Sequence, residues 1–219
     1  MSVHLRREIE NLKKHVLHMA AIVEENLLDS AKSVFERDAD LAHQVIEKDD
    51  VIDRMEVEIE EDCLKILALY QPVAVDLRYI IAFLKLNNDL ERIGDLAVNI
   101  AERAAYLVNK PPLDIPQNLP KMAKKVQKML KLSLDSLVTQ DSELCKEVKL
   151  RDDQVDEMHA AIYPLLQKIL VDEAEKTDEW MNILGVSRYL ERAADHCTNI
   201  AEDVQYMIDG QIQRHRSKI

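Results

Sequence analysis

Leu90-Glu91-Arg92-Ile93-Gly94-Asp95-Leu96-Ala97-Val98-Asn99-Ile100-Ala101-Glu102 recurs one hundred residues later as Leu190-Glu191-Arg192-Ala193-Ala194-Asp195-His196-Cys197-Thr198-Asn199-Ile200-Ala201-Glu202. Eight of the thirteen positions are identical, where composition alone would give roughly one. The same stretch fixes the secondary structure. Leu86, Leu90, Ile93, Ala97, Ile100, Ala104 and Leu107 alternate steps of four and three, as do Ile183, Val186, Leu190, Ala193, Cys197, Ile200, Val204 and Met207. Steps of this kind place every apolar side chain on one seam of a helix.

Working outward, Asp49, Asp50, Asp53 and Met55 recur as Asp152, Asp153, Asp156 and Met158. The duplication therefore reaches upstream of the last helix of each copy. Leu5, Ile9, Leu12, Val16, Met19 and Val23 begin a first helix that continues through Leu27, Ala31 and Val34. Asp38 or Asp40 offers the N-cap of a second helix, because a short carboxylate can accept from the unpaired N–H groups of a first turn. Pro72 ends it, since proline lacks an N–H and disfavours helix in the preceding residue. A third helix is predicted from about Val75 to Asn109.

The prolines at 111, 112, 116 and 120 predict an extended connector over 111–120. A fourth helix follows over about Lys121–Thr139, and a fifth after the cap Asp141, with a kink at Pro164. A polar turn at Asp172–Asp178 leads to a sixth helix that Gly210 terminates. The expected architecture is all-α: two tandem three-helix bundles, over 1–110 and 121–219, joined by the connector.

Composition agrees with that fold class. Only three glycines and 4% aromatics occur in 219 residues, too few for the turns and strand surfaces of a sheet protein. Net charge is −12 with no block of Lys and Arg, which argues against nucleic-acid binding. Cys63, Cys145 and Cys197 form no CxxC pair and read as buried free thiols of a reducing cytosol. No apolar run long enough to span a bilayer and no signal-peptide pattern is present, so a cytoplasmic protein is expected, peripheral at most to membrane proteins.

The carboxylates are the candidate chemistry. Glu91, Asp95 and Glu102 fall within about 40° on a helical wheel, away from the apolar seam, and Glu191, Asp195 and Glu202 repeat them. Asp49 and Asp53 share a face of the second helix, as Asp152 and Asp156 do of the fifth. Like charges four residues apart repel by a few tenths of a kcal/mol, and that penalty recurs at matched positions. One explanation is a solvated acidic face. The other is a metal site: if the second and third helices pack side by side, Asp49 and Asp53 face Glu91 and Asp95, and in the second copy Asp152 and Asp156 face Glu191 and Asp195. Oxygen-only donors suit Fe(III), Mn(II) or Mg(II), and zinc also accepts them. His159 and His196 would add nitrogen in the second copy alone. No Glu stands three residues before any of the seven histidines, so the core motif of di-iron oxidising enzymes is missing. There is also no Gly-rich phosphate cradle.

Ala68-Leu69-Tyr70-Gln71-Pro72-Val73-Ala74-Val75-Asp76-Leu77-Arg78, then Asn88-Asp89-Leu90-Glu91-Arg92-Ile93-Gly94-Asp95, and Tyr189-Leu190-Glu191-Arg192-Ala193-Ala194-Asp195-His196 together resemble the PhoU family of phosphate-signalling accessory proteins, over nearly the whole chain. The resemblance implies Glu/Asp-x-x-x-Asp motifs that carry multinuclear iron or zinc on the bundle surface, here at Asp49/Asp53, Glu91/Asp95, Asp152/Asp156 and Glu191/Asp195. It implies a negative regulator of high-affinity phosphate uptake, a homodimer that links the ATPase of the phosphate ABC transporter to a sensor histidine kinase. Gln71-Pro72 and Asp76–Arg78 have no counterpart near Val171–Asp178, which puts equivalence of the two copies in doubt. Two rivals remain at this stage: a metal-dependent phosphohydrolase or redox protein using the same carboxylates, and a metal-free structural tether.

Overall fold

The computed structural model describes residues 3–210. It contains six helices: α1 (Val3–Glu36), α2 (Ala39–Tyr70), α3 (Val75–Val108), α4 (Asn118–Thr139), α5 (Ser142–Asp172) and α6 (Thr177–Asp209), with a 3-10 turn at Ala174–Lys176 before α6. The seams of the repeated stretch are buried throughout, with Leu90, Ile93, Ala97 and Ile100 on α3 and Leu190, Ala193, Cys197 and Ile200 on α6 each almost fully enclosed. Truncating such a leucine to alanine costs about 2–5 kcal/mol. Asp38, in an extended conformation, accepts from Leu41 N–H at 2.9 Å and caps α2. Asp141 does the same for α5 through Glu143 N–H at 2.9 Å. Gly210 closes α6 at φ 71, its N–H donating to the Tyr206 carbonyl at 2.9 Å, a backbone conformation that favours glycine.

Each of α1–α2–α3 and α4–α5–α6 forms a mutually packed triplet, and the triplets meet where α3 lies on α6 and α1 on α4. The α3–α6 pair is antiparallel. Lys85, early on α3, reaches Asp203, late on α6, at 3.2 Å, while Arg103, late on α3, reaches Asn182 Oδ1 and the Tyr189 hydroxyl, both at 3.3 Å. Buried Asp89 sits midway. It accepts from Asn199 Nδ2 at 3.2 Å and lies 2.8 Å from His196 Nδ1.

Some boundaries differ from expectation. Helix α4 begins at Asn118, so Pro120 lies inside its first turn, where a missing N–H loses no intrahelical bond. The connector is held down as well as extended: the Arg37 guanidinium donates to the carbonyls of Val108 and Lys110, and Leu113 and Ile115 pack on the core. Helix α5 continues through Pro164. All three cysteines are free and buried. Burial pushes the Cys63 thiol up to about 12 and raises Cys145 and Cys197 as well.

Candidate functional site

The expectation of two facing carboxylate pairs per copy can be examined along the α2–α3 and α5–α6 seams. On α2, Asp49 and Asp53 share one stripe with Glu56 and Glu60, at i, i+4, i+7 and i+11. Across the seam on α3 stand Glu91 and Asp95. Burial raises Asp49 to about 6 from the ordinary 3.8, helped by repulsion from Asp53, Asp95 and Asp50. Glu91 is raised by burial first, then by Asp95, with Asp53 and Glu56 adding to it and Arg92 opposing it. Each pair therefore feels the other helix's charges.

The second copy repeats the pattern. Asp152 is raised to about 6 by burial, then by Asp156 and Asp195. Glu191 is raised by burial and then by Asp195 and Asp156, with Arg188 and Arg192 opposing, and Asp195 by burial and then by Asp156, with His196 and Arg192 opposing. A fully solvated face is one of the two arrangements the spacing allows. Asp49, Glu91, Asp152 and Glu191 are instead half-sunk between neighbouring helices, because the stripe of each helix flanks its packing contact. Asp49 Oδ1, Glu91 Oε2 and Asp152 Oδ1 are buried without a hydrogen-bond partner. Thr198 stands beside Asp152 and tempers its rise, yet neither Thr198 Oγ1 nor Asp152 Oδ1 attains hydrogen-bond geometry. Buried polar oxygens of this kind are uncommon and call for a physical account.

The copies differ in what surrounds the row. In the first, Arg92 lies across it, 3.0 Å from Asp95 Oδ2 and 3.4 Å from Glu91 Oε2, the latter without hydrogen-bond alignment. Among the described residues Arg192 makes no matching ion pair. Glu56 and Glu60 become His159 and Tyr163, whose rings meet edge-on at 5.4 Å. His159 Nδ1 is 2.6 Å from the Ser187 hydroxyl, and burial lowers its pKa, with Arg188 adding to this and Asp156 opposing it. Burial thus disfavours the charged imidazole, and the neutral ring is the form that can act as a nitrogen donor. His196 is turned away, toward Asp89 on α3, and so does not join the row.

Among the described residues no three of these side chains are gathered into a ready-made coordination sphere. The rows are neighbours in charge and not in ligand distance. Ser187 is fully buried, with Met122 Sδ 3.7 Å away, so the Ser187–His159 contact presents no face to a substrate.

Sequence reasoning named the four carboxylates of each row but missed Glu56, although its position three residues after Asp53 puts it on the same stripe. It also missed Asp89, for which no signal along one helix exists: its partners lie over one hundred residues away.

The PhoU-domain family profile matches the chain twice, over residues 16–104 and 119–204. The chain is 39% identical over 212 residues to the phosphate-specific transport system accessory protein PhoU homolog of Aquifex aeolicus, covering 97% of this chain and 96% of the relative. It is 36% identical over 204 residues to the protein of the same description from Clostridium acetobutylicum, covering 93% of each. Among solved structures it is similar to PhoU from Pseudomonas aeruginosa, with a TM-score of 0.90 at 36% identity, over 94% of this chain and 99% of that one. Its likeness to the phosphate transport system regulatory protein PhoU from Streptococcus pneumoniae has a TM-score of 0.84 at 26% identity, over 95% and 98%.

Proposed function

The chain belongs to the PhoU family, and from that premise we propose that it is a non-enzymatic negative regulator of phosphate uptake and of phosphate-starvation signalling. Relatives over almost the full length are named as accessory proteins of the phosphate-specific transport system, which supports a role at that transporter. The finer reading is a cytoplasmic, homodimeric adaptor between the transporter's ATPase and a sensor histidine kinase. No helix among the described residues is long and apolar enough to cross a membrane, so in this reading contact with membrane components runs through protein partners. Regulation by an adaptor is differential binding: one state of the assembly is held more tightly than another, and its population rises.

The observation that carries the metal part of the proposal is the pair of matched rows with buried oxygens that lack a hydrogen-bond partner. The donor set fits a hard or borderline cation, with Asp49, Asp53, Glu91 and Asp95 as ligands in one copy and Asp152, Asp156, Glu191 and Asp195 in the other. Side-chain rotations along each seam would gather them. A bound cation would neutralise the row and tie α2 to α3, and α5 to α6. Iron or zinc is favoured by resemblance, and manganese and magnesium fit the same oxygens.

Two experiments separate the parts. Deleting the gene and measuring phosphate uptake in phosphate-replete medium should show derepression; unchanged uptake and an unchanged starvation response overturn the regulatory role. Metal analysis and thermal unfolding of purified protein with Fe, Mn, Zn or Mg should show a stabilisation that Glu91→Ala and Asp195→Ala each diminish. Protein that neither takes up metal nor gains stability from it removes the metal and leaves the regulator as a bare helical tether.

A further inference from the structure

The carboxylate rows occupy the α2–α3 and α5–α6 seams, but the most unusual charge on the molecule lies elsewhere. Helix α4 carries five lysines, at 121, 124, 125, 128 and 131, and a single acid, Asp135. That is +4 within a chain of −12. Lys121, Lys124, Lys128 and Lys131 are exposed at i, i+3, i+7 and i+10 of one face. Among the described residues none of the four makes an ion pair. Lysines elsewhere on this surface do pair, as Lys48 with Glu25 at 2.8 Å and Lys146 with Glu143 at 2.7 Å. Four like charges in a row repel one another, and an anionic partner would relieve that repulsion.

The row borders a cleft. Helices α1 and α4 run antiparallel there and leave a trough of about 520 Å³ between Ala21 and Leu28 on one side and Lys124, Lys128 and Lys131 on the other. It continues past Leu28 to Phe35 and Pro120. Ala21, Leu28 and Phe35 repeat at seven residues, the spacing of a coiled-coil seam, and Leu28 is 47% exposed. From Ala21 to Glu36 the trough extends about 23 Å, or roughly four helical turns.

We propose that the α1–α4 cleft is a docking site for an amphipathic helix of a partner protein, its apolar seam on Leu28 and its carboxylates against the α4 lysines. Two helices with an apolar floor present the groove that a third helix fills. The walls are unlike in charge: α1 contributes Glu24, Glu25 (paired with Lys48) and, farther along, the paired Lys32 and Glu36, while α4 contributes the unpaired lysines. A helix acidic on one flank is accepted in a single orientation, and a uniformly basic one is rejected. An anionic bilayer fits less well, since it would meet Glu24, Glu25 and Glu36 together with the lysines. This proposal deepens the regulatory reading by giving a partner its surface. It rests on that reading only for the need of a partner, and its test involves neither phosphate nor metal.

The test uses the full chain and a labelled synthetic helix of about sixteen residues, with leucines at heptad a and d positions and glutamates on one flank. Binding is followed by fluorescence anisotropy. The peptide should bind, its lysine-flanked counterpart and a scrambled acidic peptide should not, and Lys124→Glu/Lys128→Glu/Lys131→Glu should weaken binding about tenfold or more. Leu28→Asp should weaken it similarly, with helicity and unfolding temperature of both variants unchanged, as expected for exposed positions. Equal binding of the scrambled peptide, or none of the designed one, overturns the proposal. So does lysine-dependent binding to phosphatidylglycerol vesicles without peptide binding, or a change of oligomeric state on charge reversal in sedimentation, which would make the face a self-contact.

Discussion

Replacing Asp152 by asparagine should make the metal-free protein more stable at pH 7.5, although it removes a charged group from a matched row. The folded-state pKa of Asp152 is about 6 against an ordinary 3.8, so the folded chain holds this proton more tightly than the unfolded chain does. Between about pH 4 and pH 6 folding therefore takes up a proton, and stability falls as pH rises through that window. Above it, the full penalty of keeping the ionised group half-buried beside Asp156 and Asp195 is present. The displacement corresponds to ~3 kcal/mol as an upper bound, and solvent access to a half-buried carboxylate reduces it to ~1–1.5 kcal/mol. Asparagine keeps the shape and removes the charge. In chelator-treated protein the expected gain at pH 7.5 is ~1 kcal/mol, or about 2–4 °C in unfolding temperature for a chain of this size. At pH 4, where the aspartic acid is itself largely protonated in the folded state, the gain should vanish. Asp49→Asn should behave alike, its pKa being about 6 for the same first cause. Denaturant unfolding at the two pH values measures the difference directly. A variant no more stable than the parent at pH 7.5, or a gain that persists at pH 4, would refute the reasoning.

Three further outcomes follow from the packing. A Cβ at Gly94 would stand 3.2 and 3.3 Å from Ile52 Cδ1 and Cγ2, and the second copy carries Ala194 and Val155 at the matched positions. Gly94→Ala should therefore cost about 1 kcal/mol alone, and in an Ile52→Val background should cost nothing or stabilise; strictly additive effects in denaturant unfolding would contradict this. Asp89→Ala leaves His196 and Asn199 without their acceptor between the two triplets, and should destabilise by ~2–3 kcal/mol, with calorimetry as the check. The three buried thiols, all held up in pKa by burial, should stay unreactive to a soluble disulfide reagent in the folded protein and react fully in denaturant; fast labelling of any one in the native state contradicts its burial.

Periodicity made the helices legible because a seam such as Leu90–Ile93–Ala97–Ile100 must face a core whatever its partner is. It also made the carboxylate stripes legible, since spacing fixes which side chains share a face. What it could not supply was the neighbour across the face. A helical wheel sets Glu91 away from the apolar seam and Asp49 beside Asp53, while packing of α2 on α3 half-buries both. Ser30 and Ser33 on α1, donating to the carbonyls of Leu27 and Ser30, recur as Ser133 and Ser136 on α4, donating to Leu130 and Ser133. That repeat joins the first helices of the copies, yet serines carry no hydropathy signal, so periodicity does not reveal it. The α4 lysines escaped too, because they are spread among apolar residues and form a row only when wound into a helix.

The differences between the copies bear on what the rows are for. Glu56 has become His159, Glu60 has become Tyr163, and Ile52 and Gly94 have become Val155 and Ala194, so the surroundings of the rows have been free to change. The four carboxylates themselves stand at matched positions in both. If they were only a solvated face, any of them could give way to a neutral polar residue, and at Asp49 and Asp152 that exchange would stabilise the fold by ~1 kcal/mol each. Retention of the costly residue in both copies, with buried oxygens that lack a hydrogen-bond partner, agrees with the proposal of a site that receives positive charge. Arg92 is ion-paired to the first row, whereas Arg192 and Arg188 act on the second without a close ion pair among the described residues, and this difference predicts unequal sites. In isothermal titration with Mn(II), Arg92→Ala should strengthen binding attributable to Asp49 and Glu91 and leave that of Asp152 and Glu191 unchanged, whereas equal effects on both would show that the rows do not act separately.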